Sequence, residues 1–151
     1  MSTQNISERL RDIRTYHGYT QKEIANYLGI SRSAYGDYEI YRIVIPIKHL
    51  NSLSNFYNIN IDYLLGLTNT SKSVKNIILN SSFIGNRLSL LRKELKLSSR
   101  DFANEVGISH NTIIDYEHGK YLISTTVCYN IAKHFNISID YLLGKSDKKY
   151  L

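Results

Sequence analysis

The chain has 151 residues, 42% hydrophobic and 21% charged, a balance that excludes a disordered polymer and leaves room for one medium domain or two small ones. No stretch approaches the ~18 apolar residues of a membrane span, and the opening MSTQNISERL lacks an apolar segment behind a basic start, so a cytoplasmic protein with no membrane partner is expected. The net charge of +6 favours a polyanionic partner modestly, while a lone cysteine, Cys128, and the absence of Cys or His pairs at zinc spacing point to no disulfide, no metal and no cofactor.

Read from the N-terminus, the chain says the same thing twice. INIDYLLG at 59–66 returns as ISIDYLLG at 137–144, 78 positions later, and residues 6–66 align with 84–144 without a gap, about a third of positions being identical. The identities include Arg9 with Arg87, Arg14 with Arg92, Gly29-Ile30-Ser31 with Gly107-Ile108-Ser109, and Asp37-Tyr38-Glu39 with Asp115-Tyr116-Glu117.

Each unit carries helical apolar spacing. Ile6, Leu10 and Ile13, like Ile84, Leu88, Leu91 and Leu95, mark a first amphipathic helix. Thr20 and Ser98 stand three residues before Glu23 and Asp101, the capping-box spacing that opens a second helix, and Gly29 and Gly107 close it. Ser31 and Ser109 are N-caps for a third helix of about two turns. Leu50, Leu53 and Tyr57, or Val127, Ile131 and Phe135, give a fourth, and IDYLLG supplies a short fifth. The expectation is all-α: an N-terminal domain at 1–69, a linker at 70–83 with a helical turn around 74–79, a C-terminal domain at 84–147 and a basic tail at 148–151.

Two helices joined by a tight glycine turn, the second short and polar outside, describe a helix-turn-helix. TQKEIANYLGISRSAYGDYE at 20–39 and SSRDFANEVGISHNTIIDYEHGK at 98–120 resemble the DNA-binding domains of the phage repressor and Cro family, and the likeness covers nearly all of both units. The resemblance implies two tandem five-helix, lambda-repressor-like domains whose third helices enter the DNA major groove. It places Ser31, Arg32, Ser33 and Asp37 in unit one, and Ser109, His110, Asn111 and Asp115 in unit two, towards base edges. Arg32 has the chemistry to grip guanine O6 and N7, and Asn111 that to pair with adenine N6 and N7. Gln21 matches a glutamine that touches the DNA backbone and braces the recognition helix; its counterpart Ser99 is shorter. Arg42 and Lys120 follow the third helix within reach of phosphate. Asp37 and Asp115 cut the other way, since a carboxylate in the groove meets phosphate repulsion unless it accepts from cytosine; capping, water or protein contact are the alternatives. Arg14 with Glu39, and Arg92 with Glu117, fall where the family forms an internal ion pair.

Unit one departs from the family where Tyr41 replaces the glycine that unit two keeps as Gly119, so a reshaped turn is expected there. Ile43-Val44-Ile45-Pro46 continues as an apolar run, destined for unit two, for a second chain, or for burial under the fourth helix. No HExxH spacing, nucleophile motif or phosphate loop points to an enzyme. The reading is a sequence-specific double-stranded DNA-binding transcriptional regulator, most simply a repressor, cytoplasmic and nucleoid-associated when bound. It acts as a homodimer or, across a linker with a span of roughly 20–24 Å, as an intramolecular pseudo-dimer. The alternative is a phage or mobile-element protein that turns the same scaffold to protein binding, as an antitoxin, antirepressor or inhibitor.

Overall fold

The computed structural model describes residues 3–151, with side chains from Ile6 onward. Among these residues the regular structure is ten helices: α1 (Thr3–Tyr16), α2 (Gln21–Leu28), α3 (Arg32–Glu39), α4 (Ile47–Tyr57), α5 (Ile61–Leu64), α6 (Ser81–Glu94), α7 (Ser99–Val106), α8 (His110–Glu117), α9 (Thr125–Phe135) and α10 (Ile139–Leu143). The protein is all-α, built of two five-helix units.

Local chemistry sets the helix ends. Thr20 accepts from the Glu23 N–H while the Glu23 carboxylate accepts from the Thr20 N–H, a complete capping box. In unit two Ser98 caps Asp101, but Asp101, one methylene shorter, takes the serine hydroxyl at 2.7 Å instead of the backbone. Gly29 and Gly107 end α2 and α7 in the left-handed conformation. Inside, Ile24, Leu50, Leu53, Ile61 and Leu64 of unit one and Leu88, Phe102, Ile113 and Ile131 of unit two lose essentially all solvent contact. Each such side chain contributes about 1.5–3 kcal/mol. Leu95 departs from its expected place: it lies beyond the last turn of α6 and stays 37% exposed.

Tyr41 corrects a further expectation. The turn after α3 is not reshaped; Tyr41 itself takes φ 57°, beside φ 69° for Gly119. Both turns close alike, Arg42 N–H on Asp37 O at 2.9 Å and Lys120 N–H on Asp115 O at 3.0 Å. The converse swap occurs after the first helix, where Gly18 (φ 77°) of unit one is matched by Lys96 (φ 56°) of unit two. The two turns are demanded by the fold, and each unit holds one of them against the intrinsic preference of its residue.

The units dock through their repeated ends. α5 packs on α10. Asp62 accepts from the Ile139 N–H at 2.7 Å and the Ser138 hydroxyl at 2.5 Å, while Asp140 accepts from the N–H groups of Ile61 and Asp62, both at 2.9 Å. Each aspartate thus caps the other unit's fifth helix, the reciprocal pairing of a two-fold interface made within one chain. The apolar run of unit one goes to this junction: Ile45 and Ile47 are buried beside Ile123, and the Thr125 hydroxyl donates to the Ile45 carbonyl at 2.7 Å.

The expected helical turn at 74–79 is not formed, because the backbone groups it would pair are already used by the two units. The Ile77 carbonyl accepts from the side-chain amides of Asn51 (2.9 Å) and Asn55 (3.1 Å), and the Lys75 N–H donates to Lys145 O at 3.1 Å. α6 begins at Ser81, capped by Asn80, ahead of the expected position 84. The basic tail is likewise tied down: Ser138 N–H donates to Lys149 O, Leu151 N–H to Asn136 O, and the Lys149 ammonium meets Glu94.

Candidate nucleic-acid interface

The candidate surface is the outer side of α3 and α8, each held on its unit by a charge pair, buried in unit one and partly buried in unit two. Arg14 grips Glu39 through two hydrogen bonds of 2.6 and 3.0 Å and spends a third donor on the Tyr19 carbonyl; Arg92 repeats this with Glu117 at 2.5 and 3.1 Å and with the Leu97 carbonyl. Burial works to raise the Glu39 carboxyl, but hydrogen bonds from Arg14, Gln21 and Tyr35 outweigh it and hold the group below its ordinary range. The pair pins the last turn of the third helix to the first helix, so the helix can present its other side to a ligand without loosening.

Gln21 braces α3 from the α2 side, its amide donating to Glu39 at 2.9 Å. Unit two builds the corresponding brace from different residues: Ser99 and His110 are joined, Oγ to Nε2, at 2.9 Å, which draws the imidazole back towards α7. Ser31 and Ser109 spend their oxygens as N-caps, accepting from Ala34 (3.1 Å) and Thr112 (3.2 Å). Arg32 and Ser33 on α3, and Asn111 on α8, lie exposed. Among the described residues, no hydrogen bond or ion pair engages these three first-turn side chains.

The two awkward aspartates have a local use. Asp37 meets Arg42 at 3.3 Å and Asp115 meets Lys120 at 3.5 Å, so each carboxylate is answered by the basic residue five positions on. The remaining acids around α2–α3 and α7–α8 are also engaged: Glu23 and Asp101 in caps, Glu105 with His134 at 2.6 Å, Glu39 and Glu117 with their arginines. Among the described residues no carboxylate lies in ion-pair range of Lys22, Arg32, Lys48 or Arg100. Modest net charge therefore understates the positive field these uncompensated cations can offer a phosphate backbone.

Arg9 and Arg87 are a matched pair to which sequence reasoning assigned no role. Arg9 lies over the Tyr63 ring (4.4 Å) and donates to the Tyr63 and Thr68 carbonyls; Arg87 lies over Tyr141 (4.2 Å) and donates to the Tyr141 and Ser146 carbonyls. They clamp the end of each fifth helix to the first. Their identity across the repeat was the available signal.

Comparison with known proteins agrees with this geometry. A helix-turn-helix family model matches residues 10–64, and a helix-turn-helix domain model matches residues 85–148. An SPbeta prophage-derived, uncharacterized HTH-type transcriptional regulator, YonR of Bacillus subtilis (strain 168), is 39% identical over 73 residues, covering 48% of this chain and 68% of that protein. The HTH-type transcriptional regulator ImmR of the same organism is 37% identical over 78 residues, covering 52% of this chain and 61% of its own length. Antitoxin PezA of Streptococcus pneumoniae serotype 4 is 37% identical over 62 residues, 41% of this chain and 39% of that protein. No solved structure matches the chain significantly. With both units matched and their recognition helices in place, the chain belongs to the helix-turn-helix family of DNA-binding transcriptional regulators.

Proposed function

We propose that the protein is a repressor that occludes a promoter by laying α3 and α8 in the DNA major groove. One observation carries the reading: the first turns of both helices leave Arg32, Ser33 and Asn111 exposed while the acids around them are engaged internally. Arg32 reads guanine and Asn111 adenine; Ser31, Ser109 and His110, committed to caps and to Ser99, shape the approach rather than select bases. Gln21, Ser99, Arg42 and Lys120 serve positioning on phosphate, and Asp37 and Asp115 restrain the two basic residues. The repressor works in the cytoplasm, on the nucleoid when bound, and has no catalytic task.

The test is binding to the promoter DNA flanking its own gene at two salt concentrations, parent beside Arg32→Ala and Asn111→Ala. Salt-dependent preference over random duplex, lost by roughly 5–150-fold in either variant, supports the reading. Equal binding to specific and random DNA counts against it.

A protein-binding reading has its own observation. Unit one carries a connected aromatic cluster, the exposed Tyr19 and Tyr27 joined through the half-buried Phe56, where unit two places Leu97, Glu105 and His134. Aromatic side chains dominate protein interfaces, and one of the relatives is named an antitoxin. Failure of the DNA test moves this face to first place.

A further inference from the structure

We infer that a single chain, without a second copy, covers an operator made of two unlike half-sites at one fixed separation, α3 reading one and α8 the other. This rests on the DNA-binding reading above and adds the number of chains, the asymmetry of the target and its spacing.

The first ground is the symmetry of the junction. Asp62 reaches Ser138 and Ile139, and Asp140 reaches Ile61 and Asp62, so the same surface of each unit meets its counterpart. That relation is the two-fold of a repressor dimer, and it sets α3 and α8 in equivalent positions on either side of one axis. The axis passes close to the recognition helices in chain terms: only five residues separate Glu39, the last of α3, from Ile45, whose carbonyl accepts from Thr125 of the other unit.

The second ground is that the junction is consumed and locked within the chain. Ile45, Ile47, Ile123 and Ile139 are buried there, so a second copy cannot use the same face without first prising the units apart. A one-sided lock is added. Lys145, 1% exposed, donates to Asn51 (2.9 Å) and Asn55 (2.6 Å) of unit one, whose amides hold the connecting segment at Ile77. Unit one has Leu67 at the matching position, so this contact cannot be made twice, and two identical units would lack half of it. A junction with one copy of its lock belongs to an intramolecular pair.

The third ground is the difference between the reading helices. Arg32 faces outward where unit two has His110 tied to Ser99, Ser33 stands opposite Asn111, and Gly36 opposite Ile114. Donors and acceptors that differ at matched positions cannot both prefer the same bases. A palindrome would satisfy one head and mismatch the other, at about 1–3 kcal/mol per wrong base pair.

The experiment uses the full chain and a pool of duplexes with a randomised 30-base-pair segment. Enriched duplexes are sequenced, the mass of the complex is measured by native mass spectrometry, and 5 or 10 base pairs are then inserted between the recovered half-sites. The expected result is two different half-sites centred ~34–36 Å apart, one chain per duplex, and affinity falling roughly 100-fold with either insertion, since locked heads cannot engage both halves. Two chains on a palindrome overturn the inference, as does a single half-site. Affinity indifferent to the insertions also overturns it, because only loosely tethered heads follow displaced sites. If no sequence is enriched at all, the DNA-binding reading itself falls, a separate failure.

Discussion

Asp62 and Asp140 each cap the helix that carries the other. The Asp62 carboxylate receives the Ile139 N–H at 2.7 Å, and Asp140 receives the Ile61 and Asp62 N–H groups at 2.9 Å. Two carboxyls and one ammonium, that of Lys145, are thereby buried at one junction. The cluster is neutral when the acid pair keeps one proton, and the site favours that proton: burial, then the neighbouring Asp62, push Asp140 up to about 7, and burial raises Asp62 as well.

That proton gives a pH dependence with a definite sign. A carboxyl with a folded-state value above its ordinary 3.8 contributes stability that is full below 3.8 and is lost as pH rises through about 7. Lys145, lowered to about 8 by burial against the pull of Asp140, acts in the opposite sense but only above about 8. The advantage in melting temperature of the parent over Asp140→Asn is therefore expected to shrink steadily between pH 4.5 and 7.5. Parallel melting curves across that range would remove the shared proton from the account.

The two arginine–glutamate pairs are alike in geometry and unlike in cost. The Glu39 side chain is 2% exposed and also receives Gln21, whereas that of Glu117 is 12% exposed with Arg92 as its ion-pair partner. Glu39→Ala should cost about 3–5 kcal/mol, the penalty for leaving a buried charge unpaired, and Glu117→Ala about 1–3 kcal/mol. Urea unfolding measures both, and equal losses would show that burial does not set the difference. Since Glu39 is held below its ordinary range, its contribution is present at neutral pH and disappears as pH falls through the lowered value.

Two glycines with similar positive φ separate backbone strain from crowding. At Gly107 an added methyl meets nothing within 4 Å, while at Gly119 it falls 2.8 Å from the Ser82 Cα. Gly107→Ala is expected to cost about 1–2 kcal/mol for the left-handed backbone alone, and Gly119→Ala about 1–3 kcal/mol more because Ser82 backbone must move. Thermal denaturation that ranks them equally would mean α6 yields freely there.

Asp37 tests whether an acid beside the reading surface tempers binding. Asp37→Asn frees Arg42 from its 3.3 Å partner and removes one negative charge from α3. Affinity for random duplex should rise roughly fivefold at low salt, with a salt slope steeper by about one. Fluorescence anisotropy at several salt concentrations reads both, and weaker binding would assign Asp37 a direct contact with a base.

Helix ends and amphipathic faces were legible because the interactions that make them are local. Thr20, Ser31, Ser98 and Ser109 bond to backbone three residues on, and Gly29 and Gly107 answer a backbone angle at their own position, so spacing alone reveals them. Most of the core followed from periodicity for the same reason. Tyr41 did not follow, since its left-handed turn is imposed by hydrogen bonds on both sides of it rather than by its own preference. Nor did the engagement of His110 by Ser99, which depends on what lies beside it in space.

By itself the sequence determined that the same helical domain is made twice and which side of each third helix stays polar, because a repeat and a hydrophobic period are written along the chain. Only the tertiary structure decided that Asp62 and Asp140 exchange caps, that Ile45 is covered by the other unit, and that residues 71–80, without regular structure, are tied down by Asn51, Asn55 and Lys145. Those partners lie from 22 to 94 positions apart, and a buried carboxyl or an apolar residue records that it needs a partner without recording which one.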